Sequence, residues 1–176
     1  MKTVTNALLL RRTERGDADL VVQLFTEQRG MVSAIAYGAR RSRRRFPVLE
    51  PLHTLRLELD GATDRELVQL HAVTVEVPRA GYLNNYDRMR RATDGLRWLQ
   101  RVASPEDPNP KLWAEAIAFL DAAHLCPLND LPSELAAFGI KLLCAVGSAP
   151  PPSRLRPGMA PAEVFRLVDA SLTGNG

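Results

Sequence analysis

The chain has 176 residues and a mass of 19.4 kDa, room for one good core or two small domains and little more. Hydrophobic residues make up 45% and charged residues 24%, the balance of a soluble globular protein, and no window nears the ~18 continuous apolar residues of a membrane span. Charge is uneven: residues 1–101 hold 18 basic and 12 acidic side chains, residues 102–176 hold 5 and 8, so an anionic partner is expected at the front of the chain.

The opening MKTVTNALLLRRTERGDADL has a short apolar run followed by arginines and no small-residue cleavage site, so no signal peptide and a cytoplasmic location are expected. Residues 3–10, TVTNALLL, read as a first strand, followed by Arg11 and Arg12 and a turn at 14–17. Residues 19–26, DLVVQLFT, and 31–37, MVSAIAY, read as the second and third strands. Residues 52–59 alternate, with Leu55, Leu57 and Leu59 on one face and Arg56 and Glu58 on the other. Residues 66–77 place Val68 and Leu70 on one face and Val73, Val75 and Val77 on the other, so a bulge is expected near His71 and Ala72. Five short strands in about 80 residues fit a small closed barrel of the oligonucleotide-binding type, and a small sandwich or SH3-like barrel fits the pattern nearly as well.

From residue 82 the period becomes helical. Tyr82, Tyr86, Met89, Thr93, Leu96 and Leu99 are expected on one buried face. Further helices are expected over 111–125, over 133–146 (Leu135, Phe138, Leu142 and Val146 inward, Gly147 ending it) and over 161–172, with a linker at 148–152 and a frayed tail from Thr173 to Gly176. The fold class is α+β, with a barrel over residues 1–80 and an all-helical domain over 81–176.

Residues 37–46, YGARRSRRRF, carry Arg40, Arg41, Arg43, Arg44 and Arg45 between the third and fourth strands. Five guanidinium groups within about 20 Å of chain cannot enter a core. The loop is therefore exposed, and flexible unless an anion orders it. Arginine offers a planar fork for phosphate and a flat surface for bases, so nucleic acid is the best partner. A plain solubilising loop is the competing reading. A membrane surface lacks the required apolar anchor. Lys2, Arg11, Arg12 and Arg15, placed near the other barrel end, extend the track, and Arg88, Arg90 and Arg91 add to it from the first helix. Tyr37 divides evenly between base stacking and packing, and Phe46 is expected to plug a barrel end more than to stack.

Catalytic signals are missing. The sequence has no GxxxxGK[ST], GxGxxG, HExxH or GxSxG motif. His53, His71 and His124 are isolated, and His124-Leu125-Cys126 fits helix-end packing rather than a metal site. Nothing favours gathering Asp17, Asp19, Glu58 and Glu66 in a two-metal centre. Cys126 and Cys144 read as buried thiols. The chain is expected to be a binding protein without a cofactor.

Two segments, GDADLVVQLFTEQRGMVSAIAYGARRSRRRF at 16–46 and LEPLHTLRLEL at 49–59, resemble the RecO family of bacterial recombination mediators. Gly16, Asp19, Phe25, Thr26, Gly30, Val32, Ser33, Gly38, Ala39, Arg40, Arg41, Phe46, Leu49 and Pro51 carry the likeness, and FGIKLLCAVGSAP at 138–150 adds a weaker match. The resemblance implies an oligonucleotide-binding barrel with a helical domain, binding of single- and double-stranded DNA, and strand annealing. It also implies cooperation with RecR, contact with the acidic tail of single-strand-binding protein, and indirect loading of RecA at the nucleoid. It places phosphate on Arg40, Arg41, Arg43, Arg44 and Arg45. Many family members carry a four-cysteine zinc ribbon after the Gly-x-x-Pro segment. Here PPSRLRPGMAPAEVF follows Pro150 with no cysteine, so no structural zinc is expected, and the chain is shorter than is usual for the family. Lys141, Arg154 and Arg156 are the candidate partner-binding cations of the back half. The alternatives are a protein–protein adaptor of the same fold with weak DNA binding, a general RNA-binding barrel, and an enzyme acting on nucleic acid.

Overall fold

In a computed structural model the chain is described over residues 2–46, 49–61 and 67–173. Glu66, Pro47 and the tail beyond Thr173 lie outside the described residues. The barrel strands are β1 (Lys2–Arg15), β2 (Asp19–Thr26), β3 (Gly30–Ala36), β4 (Thr54–Asp60) and β5 (Val68–Val77). They close in the order β1-β2-β3-β5-β4. All pairs are antiparallel except β3 with β5, where Ala34 and Ile35 lie opposite Val68 and Gln69. Closure leaves few unpaired strand edges to attract other chains.

Strand alternation builds the interior. Ala7 and Leu9, Val22 and Leu24, Val32, Ala34 and Ala36, Leu55, Leu57 and Leu59, then Val68, Leu70 and Val73 form one buried cluster. Each buried leucine contributes about 1.5–3 kcal/mol against an exposed one. The expected bulge is present: Glu58 pairs with Ala72 and Leu59 with Leu70, so His71 is skipped and the inward face of β5 changes parity. A second irregularity, between Leu9 and Arg11, does the same in β1.

β1 is longer than its apolar run. Arg11 to Arg15 continue as strand, paired residue by residue with β2 up to Arg15 opposite Asp19. Only residues 16–18 turn the chain, with Gly16 at φ 59°. Hydrogen bonding to β2 holds this polar stretch extended where hydrophobic patterning gives no signal.

Residues Ala103–Asn109 group with Met1–Pro78 as one compact unit. Met31 N–H donates to Ser104 O at 3.0 Å, and Glu106 N–H donates to Met31 O at 3.2 Å. Arg29 donates Nε and Nη2 to the two carboxylate oxygens of Glu106 at 2.9 and 2.6 Å, a bidentate pair with Arg29 nearly buried. Gly30 (φ 64°) leaves room for the strap: a Cβ there would lie 2.3 Å from Asp107 O.

The second unit comprises Arg79–Val102 and Pro110–Gly176. Its helices are α1 (Tyr86–Val102), α2 (Pro110–Leu125), α3 (Leu131–Ala145) and α4 (Pro161–Thr173), preceded by a 3₁₀ turn at Ala80–Tyr82. The inward face of α1 is Ala92, Gly95, Leu96, Trp98 and Leu99. Tyr86 and Met89, expected inward, are exposed, because the packed face of α1 is centred on its second half. Gly95 lets α2 approach: a Cβ would sit 2.4 Å from the Phe119 ring. Leu135, Phe138 and Leu142 of α3 are buried as expected, and Gly147 (φ 73°) follows its end. Neither cysteine is buried: Cys126 is half-buried beyond α2, and Cys144 is exposed next to the inward pair Leu142 and Leu143. Among the described residues no helix is long and apolar enough to cross a membrane.

Glu106→Ala removes the carboxylate facing the Arg29 fork and leaves a nearly buried charge without that acceptor. It should lower the free energy of unfolding by about 1–3 kcal/mol in urea titration. An unchanged midpoint would show that the strap adds nothing to the barrel.

Candidate nucleic-acid interface

The connection after β3 carries the arginine run, and its backbone is built rather than loose. Gly38 takes φ 68°, and its N–H donates to Asp19 Oδ1 at 2.8 Å. Arg40 N–H donates to Ala18 O, and Arg41 and Ser42 N–H both donate to Gly38 O, each at 3.0 Å. Phe46 N–H donates to Ser42 O at 3.1 Å, and Val73 N–H of β5 donates to Arg45 O at 3.0 Å. Ala39, Phe46 and Leu49 are buried in the barrel cluster. The loop expected to be flexible is thus pinned by apolar anchors at both ends and a chain of backbone bonds. Phe46 takes the plugging role and is not available for stacking.

The arginines differ. Arg40 lies 3.3 Å from Glu14, both largely exposed, an ion pair worth at most about 1 kcal/mol. Arg45 donates Nη2 to Tyr37 O at 3.2 Å and Nε to Ser42 Oγ at 3.3 Å. Among the described residues, Arg41, Arg43 and Arg44 are exposed and have no side-chain hydrogen bond or ion pair. Tyr37 is 49% exposed beside them.

Arg11, Arg12 and Arg15 are not at the other barrel end. In an antiparallel run, the end of β1, the start of β2 and the end of β3 share one side. Asp19 opposite Arg15 holds Gly38, and Glu14 holds Arg40. Arg12 is exposed and donates Nη1 to Leu49 O at 2.8 Å, so it braces the loop's far end. Arg11 and Arg15 point outward and, among the described residues, have no side-chain partner. Lys2 pairs opposite Asp60 and does lie at the other end. Glu58 is paired with Val4 near that end, away from Asp19, so the two carboxylates do not converge.

Arg88 is spent inside the helical unit. It donates to the carbonyls of Ala123 and Cys126, the latter at 2.8 Å, capping the C-terminus of α2, where a cation meets the negative end of the helix dipole. Arg90 pairs with Asp87 at 3.8 Å, and Arg91 lies over the Phe165 ring at 5.2 Å. His124 packs against Tyr82, as helix-end packing predicts, and its pKa is lowered by desolvation and by the nearby Arg79 cation. Lys141 pairs with Glu115 at 3.5 Å on a hollow of about 230 Å³ lined by Phe119, Ala122, Ala137 and Phe138. Arg156 pairs with Glu163 at 3.8 Å, and Arg154 is exposed in the turn after Pro151.

Residues 1–78 match the family model described as Recombination protein O N terminal. A DNA repair protein RecO of Anaeromyxobacter sp. (strain K) is 33% identical over 144 residues, 81% of this chain and 56% of the relative. The chain belongs to the RecO family. DNA repair proteins RecO of Syntrophotalea carbinolica and Myxococcus xanthus are 29% and 28% identical, over 83% and 82% of this chain and 56% and 59% of the relatives. The chain spans little more than half the length of the curated relatives it matches. The family match covers the barrel and its arginine loop.

Sequence reading missed Asp19 and Glu14 as partners of the loop. The signal for Asp19 was a short acidic side chain in a turn, which caps backbone N–H groups. Asp19→Ala strands the Gly38 N–H and should cost about 1 kcal/mol in chemical denaturation, with faster proteolysis between residues 37 and 46. Asp19→Asn keeps the acceptor and should restore most of both. Equal behaviour of the two variants would show that the cap does not hold the loop.

Proposed function

We propose that this chain is a DNA-binding mediator of recombinational repair that holds the phosphate backbone on its β3–β4 loop. The observation that carries this reading is the exposed trio Arg41, Arg43 and Arg44, unpaired among the described residues, on an anchored loop next to Arg11, Arg15 and Arg40. Ordered backbone lowers the entropy lost when the loop meets a phosphate chain. Tyr37 offers a ring for an unstacked base, which favours single strands. The relatives' name, DNA repair protein RecO, supports the same role. Contacts of this type bind through phosphate and stacking, so little dependence on base sequence is expected.

The finer reading is annealing of complementary strands and, with RecR, loading of RecA onto DNA coated by single-strand-binding protein. Family membership supports it. For the acidic tail of single-strand-binding protein we propose the hollow beside Lys141, whose apolar wall is Phe119, Ala122, Ala137 and Phe138, with Arg154 and Arg156 as further cations. Glu115 and Glu134 line the same hollow, so the tail must displace the Lys141–Glu115 pair. Lys141→Glu should weaken binding of a tail peptide severalfold by calorimetry, and unchanged binding would move the tail elsewhere.

The DNA reading is tested by fluorescence anisotropy of a labelled single-stranded oligonucleotide at several salt concentrations. Neutralisation of three phosphates predicts a slope of log affinity on log salt near −2, at about −0.7 per phosphate. Reversal of Arg41, Arg43 and Arg44 to glutamate should reduce affinity roughly tenfold or more with the fold intact. Equal affinity in the triple variant would remove the loop from the interface and leave the adaptor reading in its place.

A further inference from the structure

We infer that Arg45 is a positioning residue that clamps the arginine loop, while Arg41, Arg43 and Arg44 meet the phosphates. This division rests on the DNA reading above, but its structural half stands without DNA.

The Arg45 side chain spans the loop's two ends. Nη2 reaches Tyr37 O at 3.2 Å, the residue before the run, and Nε reaches Ser42 Oγ at 3.3 Å, the one break within it. Its own carbonyl is held by Val73 N–H at 3.0 Å, so the residue's backbone is fixed to β5. The guanidinium lies 5.4 Å from the centroid of the buried Phe46 ring. Gly38 leaves the space: a Cβ there would stand 3.4 Å from Nη2, at the near edge of ordinary packing distance.

A fork aimed in two directions needs arginine. Lysine has the charge but a single nitrogen and cannot bridge the Tyr37 carbonyl and the Ser42 hydroxyl in the same way. The clamp also places Tyr37, because the backbone of the exposed ring is held through its own carbonyl. Arg45 thereby sets both the bend that fans out Arg41, Arg43 and Arg44 and the stance of the neighbouring ring.

Two measurements on the full chain separate the roles. Without DNA, hydrogen exchange is read at the amides of Arg41, Ser42 and Phe46 in wild type, Arg45→Lys, Arg45→Gln and Arg43→Ala. The clamp predicts faster exchange in both Arg45 variants and wild-type exchange in Arg43→Ala. With a labelled single-stranded oligonucleotide, affinity is then measured against salt. Arg43→Ala should flatten the slope by about 0.7, as one fewer phosphate is neutralised. Arg45→Gln should weaken binding severalfold with the slope retained, and Arg45→Lys should not rescue it. Unchanged exchange in both Arg45 variants overturns the clamp whatever the DNA result. Rescue by lysine, or a flattening in Arg45→Gln equal to that of Arg43→Ala, makes Arg45 an ordinary phosphate ligand. Altered exchange with no DNA binding by wild type keeps the clamp and ends the DNA reading.

Discussion

Closure of the five-stranded barrel is the constraint on which the rest depends. Once β1 pairs with both β2 and β4, and β3 with both β2 and β5, charged groups can stand only on outward faces and in connections. The antiparallel run β1-β2-β3 then brings the end of β1, the β1–β2 turn and the connection after β3 to one side. That side collects Arg11, Arg12, Arg15 and the loop arginines. The barrel also explains why the loop holds its shape. Ala39, Phe46 and Leu49 are core residues, so the run between them is an excursion from the core rather than a free tether.

Arginine plays several distinct roles in this molecule, and residue type alone does not separate them. Arg29 forks onto Glu106, Arg79 is fully buried with Nε on Asp121 at 2.8 Å, and Arg88 caps α2. In each case desolvation is offset by a carboxylate or by carbonyls at a helix end. Arg41, Arg43 and Arg44 differ in that nothing in the described chain offsets their charge, and mutual repulsion disfavours keeping them together. A surface that gathers unpaired cations on an ordered backbone is preorganised for an anion that is linear and repeated, as a phosphate chain is.

Much of the fold was legible because it obeys simple periods. Leu55, Leu57 and Leu59 fixed the face of β4, and the parity change from Leu70 to Val73 located the bulge at His71. Gly147 marked the end of α3, and Leu135, Phe138 and Leu142 its inward face. Other features lacked a local signal. Arg11 to Arg15 form strand only because β2 lies beside them. Tyr86 and Met89 have helical spacing, yet the packed face of α1 lies further along. Residues 103–109 carry no strand or helix period, yet the Arg29–Glu106 pair, 77 positions apart, folds them onto the barrel. Within the site, the run itself was plain to read. The unequal roles of its arginines were not, since they turn on Glu14, Asp19 and Leu49, whose nearness is set by strand pairing.

The central claim is that the anchored arginine loop, with the end of β1 beside it, is the nucleic-acid surface. Hydrogen–deuterium exchange of the full chain with and without a saturating single-stranded oligonucleotide tests it most directly. The account predicts added protection concentrated at residues 11–19 and 37–46, weakening as salt rises. Protection confined to the helical unit, with these two segments unchanged under conditions where DNA is bound, would contradict it.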